Sequence, residues 1–287
     1  MSVQPSGAQS GWRASLELRF HSLEGRTRIA YRRHSGPLVV QRAFHPEPAL
    51  APAGALSEPC HVYVIHPPGG LASGDRLALH ATVGRGGHAL LTTPAAGKFY
   101  RRAAPGNAHL AQTLSAHDAL LEWLPQENIY YPDAAADVAS IVHLTGTARF
   151  IGWEISCFGL PASARTLANG QVRQRFELWL EDRPLLLERV TIGGDALSAD
   201  WGLAGHPATG TWLAFPAAPA DLAAARAAAG PGCAGLRIGC TLVDRVLICR
   251  ALAARADHLK QAFIGLWHAV RPAIAGRPAV PPRVWAT

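Results

Sequence analysis

Along most of this chain apolar and polar residues alternate with a period of two. From Ser15 to Phe20, Leu16, Leu18 and Phe20 fall on one side and Glu17 and Arg19 on the other. From Arg76 to Val83, Leu77, Leu79, Ala81 and Val83 oppose Arg76, His80 and Thr82. That alternation is the mark of a strand with one buried face. Similar runs predict strands over 37–44, 61–66, 88–93, 109–114, 119–124, 138–144, 149–158, 172–180, 184–192, 236–243 and 245–252. Gly/Pro/Asn/Asp clusters at 84–87, 105–107, 168–170 and 181–184 supply turns between them.

Two segments break the pattern. The Ala-rich run 219–229, with Asp221 near its start and Gly230-Pro231-Gly232 after it, predicts a helix. A second helix is expected over 257–270, where Leu259, Phe263, Leu266 and Val270 form one apolar stripe. Pro272 is expected to end it at Arg271, because proline disfavours the helical conformation in the residue before it. Residues 1–11 read as a frayed tail and 46–59, rich in Ala and Pro, as a surface loop. No repeat of fixed period and no linker divides the rest, so 12–287 reads as one mostly-β domain with two helices.

Composition narrows the class. The chain has 287 residues, 49% of them hydrophobic and 16% charged, which suits a compact folded protein. Its formal charge of +7 is almost wholly due to arginine, the only lysines being Lys98 and Lys260. The arginines are scattered apart from a small cluster at Arg26, Arg28, Arg32 and Arg33, with no nucleic-acid-binding motif beside them. They read as a solvated surface or as a basic face for an acidic protein partner. Five cysteines (60, 157, 233, 240 and 249) with no CxxC pair argue against a disulfide framework and for reduced thiols. No signal-peptide pattern and no long apolar run is present, so a cytoplasmic protein without a membrane span is expected.

Candidate chemistry is sparse. His66-Pro67-Pro68-Gly69-Gly70-Leu71-Ala72-Ser73-Gly74-Asp75 reads as a tight corner after a strand. Asp75 either caps that turn or is presented towards a channel or partner. The segment Thr92–Lys98 misses the phosphate-loop pattern, with Thr92 and Phe99 where Gly and Ser/Thr are needed. Glu122, Glu127, Glu154, Glu177 and Glu188 stand in or beside apolar strand runs. There a carboxylate must be paired or face water, or line a wet path for a divalent ion. Thirteen histidines show neither HxxxH nor HExxH spacing, so no closed metal cage is expected. Transient contact with nickel(II), which accepts imidazole, carboxylate and water, stays open. No nucleophile elbow or catalytic constellation is found. A β-rich metal-dependent hydrolase using His61, His66, Asp75 and Glu122 is the rival reading.

Four signatures in fixed order carry more. They are 66–75, Leu91-Thr92-Thr93-Pro94-Ala95-Ala96-Gly97-Lys98-Phe99-Tyr100, Glu122-Trp123-Leu124-Pro125-Gln126-Glu127-Asn128 and Pro282-Arg283-Val284-Trp285-Ala286-Thr287. With 152–162, 170–175 and Leu266-Trp267 before Arg271-Pro272, they resemble the urease accessory protein family UreD (also called UreH) over roughly residues 12 to 287. Phe158, the 46–57 loop and the 219–229 helix depart mildly from the family pattern. The resemblance implies a many-stranded β-helix-like fold with two helices. It also implies a non-catalytic maturation factor that binds UreF, the GTPase UreG and the urease apoprotein, with nickel in transit rather than a resident cofactor. By position it implies Asp75, Glu154 and Glu188 as acidic points on a nickel path. It marks Pro67, Pro68, Gly69, Gly70, Gly74, Lys98, Tyr100, Trp123, Pro125, Trp267, Arg283 and Trp285 as motif residues, the carboxyl end being an interaction element.

Overall fold

A computed structural model describes residues 11–48, 56–230 and 235–286. Residues 1–10, most of the Ala/Pro loop and Pro231-Gly232 of the helix stop lie outside the described residues. In chain order the strands begin with β1 (Arg13–Leu23), β2 (Arg26–Ser35), β3 (Val39–Phe44), β4 (Cys60–Ile65), β5 (Arg76–Val83) and β6 (His88–Thr92). There follow β7 (Gly97–Phe99), β8 (Ala108–His117), β9 (Leu120–Trp123), β10 (Asn128–Tyr130), β11 (Ala135–Thr145) and β12 (Arg149–Phe158). The last are β13 (Gln171–Leu180), β14 (Arg183–Ile192), β15 (Ala208–Phe215), β16 (Leu236–Val243) and β17 (Val246–Ala253). The helices are α1 (Pro219–Ala229) and α2 (Ala256–Ala275).

The strands form two sheets that the chain visits alternately. One runs β14-β13-β11-β8-β5-β1-β2, the other β16-β17-β15-β12-β9-β6-β4-β3. Within the first sheet β1, β5, β8, β11 and β13 are parallel neighbours. Within the second, β4, β6, β9 and β12 are. Parallel neighbours need a crossover. Here the crossover from β4 to β6 is β5 in the facing sheet, and likewise up the stack, so the chain winds as a β-solenoid. Antiparallel strands close its ends: β2 on β1, β14 on β13, β3 on β4, and β15 with the β16–β17 hairpin beyond β12. The short β7 and β10 pair with each other and with the end of β12, making a narrow third wall.

Among the described residues, thirteen strands lie where the sequence pattern predicts them, and four, β2, β7, β10 and β15, lie outside those predictions. β2 is charged and almost wholly exposed, and charges on an edge strand discourage further pairing. β15 is largely buried between two neighbours, so it reads as a near-continuous apolar run. β7 and β10 have three residues each, too few for any period to register. Helix α1 keeps its expected bounds, with Asp221 accepting the Ala218 N–H at 2.7 Å. Helix α2 passes through Pro272, contrary to the expected stop at Arg271, and ends at Gly276 in the left-handed conformation. Arg271 just before the proline and Ile274 and Ala275 in the turn after it are all buried. That packing offsets the hydrogen bond a proline removes.

One apolar core fills the space between the sheets, with Leu16, Leu18, Phe20, Leu114, Val142, Phe150 and Phe158 among its members. A second lies on the opposite face of the β6-β9-β12-β15 sheet, where Leu120, Ile151, Trp153 and Trp212 meet Leu259, Phe263, Leu266 and Trp267 of α2. Gly210 makes that approach possible, since a Cβ there would lie 2.7 Å from the Phe263 ring. Covered on both sides, β6 and β9 are fully buried strands.

The join between α2 and this sheet is polar at its centre. Arg271, fully buried, donates from Nε to both Glu122 oxygens at 3.0 and 3.1 Å, and from its terminal nitrogens to Glu47 at 2.6 and 3.1 Å. Glu122 also meets His88 Nε2 at 2.6 Å and accepts the Trp267 indole N–H at 2.6 Å. Glu47 meets His61 Nε2 at 2.8 Å and, more loosely, Arg277 at 3.4 Å. Burial alone would raise the Glu122 carboxyl, but the Arg271 charge and the His88 hydrogen bond outweigh it and hold it far below the carboxylate range. Burial pushes His88 below the usual imidazole range, against the pull of Glu122.

Arg271→Ala would strand two buried carboxylates, and breaking such a pair costs about 3–5 kcal/mol. Urea unfolding should show a loss of that size, whereas Arg255→Ala, whose partner Asp257 is exposed, should leave the unfolding midpoint essentially unchanged. The pH dependence follows from the same groups. Folding holds Glu122 and His88 deprotonated where the unfolded chain would bind protons. Their stabilisation is therefore complete above the ordinary imidazole pKa of about 6.5 and is lost as pH falls below it, then below about 4.5. Unfolding curves between pH 7 and pH 4, taken on Glu154→Gln so that the opposing titration of Glu154 is absent, check that sign.

Candidate functional site

The corners after β4, β6 and β9 stack along one side of the solenoid. His66, Pro67 and 69–71 of the first, 93–98 of the second and Trp123, Pro125, Gln126 and Asn128 of the third line a single cavity of about 330 Å³. Leu77, Leu79, Leu110 and Gln112 of β5 and β8 and Glu154 and Ile155 of β12 complete its wall. Three of the four sequence signatures are thus successive turns of one coil, brought side by side by the winding.

Tight backbone approach shapes the mouth. Gly69 has φ +77°, and a Cβ on Gly70 would lie 2.5 Å from the Tyr100 ring and 2.9 Å from the Lys98 carbonyl. Tyr100 stands partly exposed, edge-on to Tyr131 at 5.3 Å between centroids. Pro67, Lys98, Trp123 and Pro125 line the cavity, and the Pro125 carbonyl also accepts the Trp153 indole N–H at 2.7 Å. Pro68 belongs to the same corner, where the Gly69 N–H bonds back to the His66 carbonyl at 2.9 Å.

Glu154 is the carboxylate on this wall, at an inward position of β12 between Gly152 and Ser156. Ser140 Oγ lies within hydrogen-bond distance of both Glu154 and Gln112 Oε1, the latter at 3.0 Å, and its one proton serves either acceptor. Burial pushes the Glu154 carboxyl up to about 7, more than the Ser140 hydrogen bond lowers it. The polar lining continues inward, where Gln174 Nε2 donates to Ser156 Oγ at 2.8 Å. The Tyr130 hydroxyl and the Trp123 indole N–H are buried without a hydrogen-bond partner. His66 also lines the cavity, and burial lowers its pKa although Asp75 pulls the other way, which leaves a neutral imidazole with a free lone pair. The wall therefore offers imidazole, carboxylate and amide donors one after another. Among the described residues no three His, Cys, Asp or Glu side chains gather as a metal cage.

The other carboxylates are engaged elsewhere. Asp75 accepts backbone N–H groups from Trp12 and Ala72, both at 2.7 Å, so it fixes its own corner and ties the start of β1 to it. Gly74 supplies the positive φ, +85°, just before it. Glu188 lies on β14 and pairs with Arg250. Glu177 pairs loosely with Arg175 and Arg189, at 3.6 and 3.8 Å. His61 and Glu122, half of the hydrolase set, belong to the Arg271 network, while His66 and Asp75 sit at the cavity corner.

The fourth signature lies on the far side of the same wall. Arg283 opens a short 3₁₀ turn, Arg283–Ala286. Trp285 bonds Thr92 Oγ1 through its indole N–H at 2.9 Å and packs against Trp153 and Trp267, with centroids 5.5 and 5.6 Å away.

The UreD urease accessory protein family model matches residues 12–286. The chain belongs to the UreD family. It is 42% identical to the urease accessory protein UreD of Pseudomonas putida (strain W619) over 286 residues, 99% of this chain and 98% of that one. It is 38% identical to the UreD of Klebsiella pneumoniae subsp. pneumoniae over 279 residues, 97% of each chain.

Sequence reasoning did not single out Gln112, Ser140, Ser156, Gln174 or Tyr130. The signal was there for two of them. Gln112 shares the inward phase of β8 with Leu114, and Ser140 that of β11 with Val138 and Val142. A polar residue in an apolar phase marks an interior that is wet or bonded.

Between about pH 4.5 and 7 the folded chain keeps a proton on Glu154 that the unfolded chain has released, so this group makes stability fall as pH rises. Glu154→Gln mimics the protonated form. Its unfolding free energy should match wild type near pH 4.5 and exceed it by on the order of 1–3 kcal/mol at pH 8. Urea titrations of both proteins at the two pH values measure this.

Proposed function

We propose that this chain is a non-catalytic urease maturation factor that guides Ni2+ through its interior cavity to the urease apoprotein, working with UreF and the GTPase UreG. Family membership supports the urease role, and the observation that carries the route is Glu154 on the wall of a cavity built from three family signatures. Nickel(II) accepts imidazole, carboxylate and water oxygen. Cargo passes only where each site binds weakly enough to release it. The cavity suits that condition, because His66, Glu154 and Gln112 line it while no three His, Cys, Asp or Glu side chains among the described residues gather as a cage.

Glu154 gives the path a pH threshold. Above about 7 the carboxylate is free to meet a cation, and below it each capture must expel a proton. Asp75 and Glu188 take a different part in this proposal. Asp75 holds the corner that frames the cavity, and Glu188 with Arg250 joins the two sheets at the end of the solenoid.

The test is nickel per urease active site, with urease activity, after co-expression of urease and the other accessory proteins. Without this chain, nickel and activity should be lost while GTP hydrolysis by the partner persists. With Glu154→Gln, complexes should still co-purify but loading should slow roughly tenfold, the effect of losing about 1.4 kcal/mol at one passing contact. Full loading without the chain would end the maturation reading. Full-rate loading with the glutamine variant would end the Glu154 route alone.

A further inference from the structure

The outer face of the β14-β13-β11-β8-β5-β1-β2 sheet is left open, since both helices pack against the other sheet. Register places its side chains in rows across the strands. One row is Arg76, His109, Asp137 and Arg173, and the next is Ala78, Ala111, Ala139, Arg175 and Arg189. Between them lies a trough of about 490 Å³ with Ala111 and Ala139 on its floor. Small side chains there let an extended backbone lie close to the sheet.

The charges on this face are unbalanced. Four arginines, 76, 173, 175 and 189, face two carboxylates, Asp137 and Glu177. Arg76 has no acidic partner among the described residues. Arg173 reaches Asp137 only at 3.6 Å, and Asp137 is already shared with Asn107 at 2.9 Å and His109 at 3.4 Å. Arg175 and Arg189 divide the single Glu177 at 3.6 and 3.8 Å. Arg173 and Arg189 are 60% and 76% exposed, and although Asp137, Gln171 and Glu177 engage them loosely, their guanidinium groups stay accessible to bidentate carboxylates.

We infer that this trough is a docking groove for an extended acidic segment of a protein partner. Arg173 and Arg175, alternate residues of one strand, suit carboxylates on every second residue of that segment. No aromatic side chain lines the trough to stack on a base, so an acidic protein segment fits better than a single-stranded nucleic acid. The inference is independent of the nickel route.

The probe is a fluorescein-labelled peptide of alternating Glu and Thr, titrated with the full chain at low and at physiological salt. Wild type should bind, and the binding should weaken steeply with salt. Arg173→Gln/Arg175→Gln/Arg189→Gln should weaken it by about tenfold or more. Arg28→Gln/Arg32→Gln/Arg33→Gln removes the same charge from β2, at the opposite edge of the sheet, and should change binding by less than about threefold. Matching thermal unfolding of all three proteins shows that each is folded. The inference is overturned if wild type does not bind, if the two triple variants weaken equally, or if short duplex DNA binds the trough more tightly than the peptide.

Discussion

Arg271 is the constraint on which the rest of the structure depends. It stands at the last turns of α2, fully buried, and bridges Glu122 in the middle of β9 to Glu47, with Arg277 closing the set. Two carboxylates and two guanidiniums leave no net buried charge. Such a network adds little stability over an apolar equivalent, but removing one member is costly, so it specifies one docking of the helix. That docking covers the outer face of β6, β9 and β12, which turns a one-sided sheet into a two-sided one. It also carries the chain end across the sheet, where Trp285 rests on Trp153 and Trp267.

The cavity lies directly behind this anchored wall. Its corners follow β4, β6 and β9, the strands that bear His61, His88 and Glu122, so the side chains held by the Arg271 network and the loops that line the cavity are neighbours along the same strands. Two polar systems thus share one sheet. On the helix side the groups are tightly paired and charged. On the inner side they are neutral or shifted, with Glu154 near neutrality and Tyr130 and Trp123 left without partners. The first system is closed and holds the structure; the second lines a cavity, which is where the proposed route runs.

Much of the strand pattern was legible in the sequence because most strands have one dry face and one wet face. The legibility fails where that condition fails: at β2, wet on nearly all sides, and at β15, dry on nearly all sides. The solenoid itself was invisible to periodicity. Equivalent positions such as Arg76, His109, Asp137 and Arg173 recur at uneven intervals because the corners differ in length. Only the family resemblance supplied that architecture. Helix α2 outran its expected end because burial of Arg271 and Ile274 outweighs a local proline penalty, a tertiary effect that no window of sequence contains. At the site, carboxylate identity alone did not distinguish Glu154 on the cavity wall from Glu188 in its ion pair, since both stand in apolar strand runs, and the corner holding Asp75 allowed either a cap or a presented carboxylate.

The central claim is that Glu154 meets the metal in transit. Diffraction at the nickel absorption edge, from crystals soaked in Ni2+ at a pH above 7, tests it most directly. The account predicts an anomalous peak in the cavity beside Glu154, weakening below pH 6 as the carboxyl takes up its proton. Anomalous density confined to surface histidines, with none at Glu154 at any pH, would contradict it.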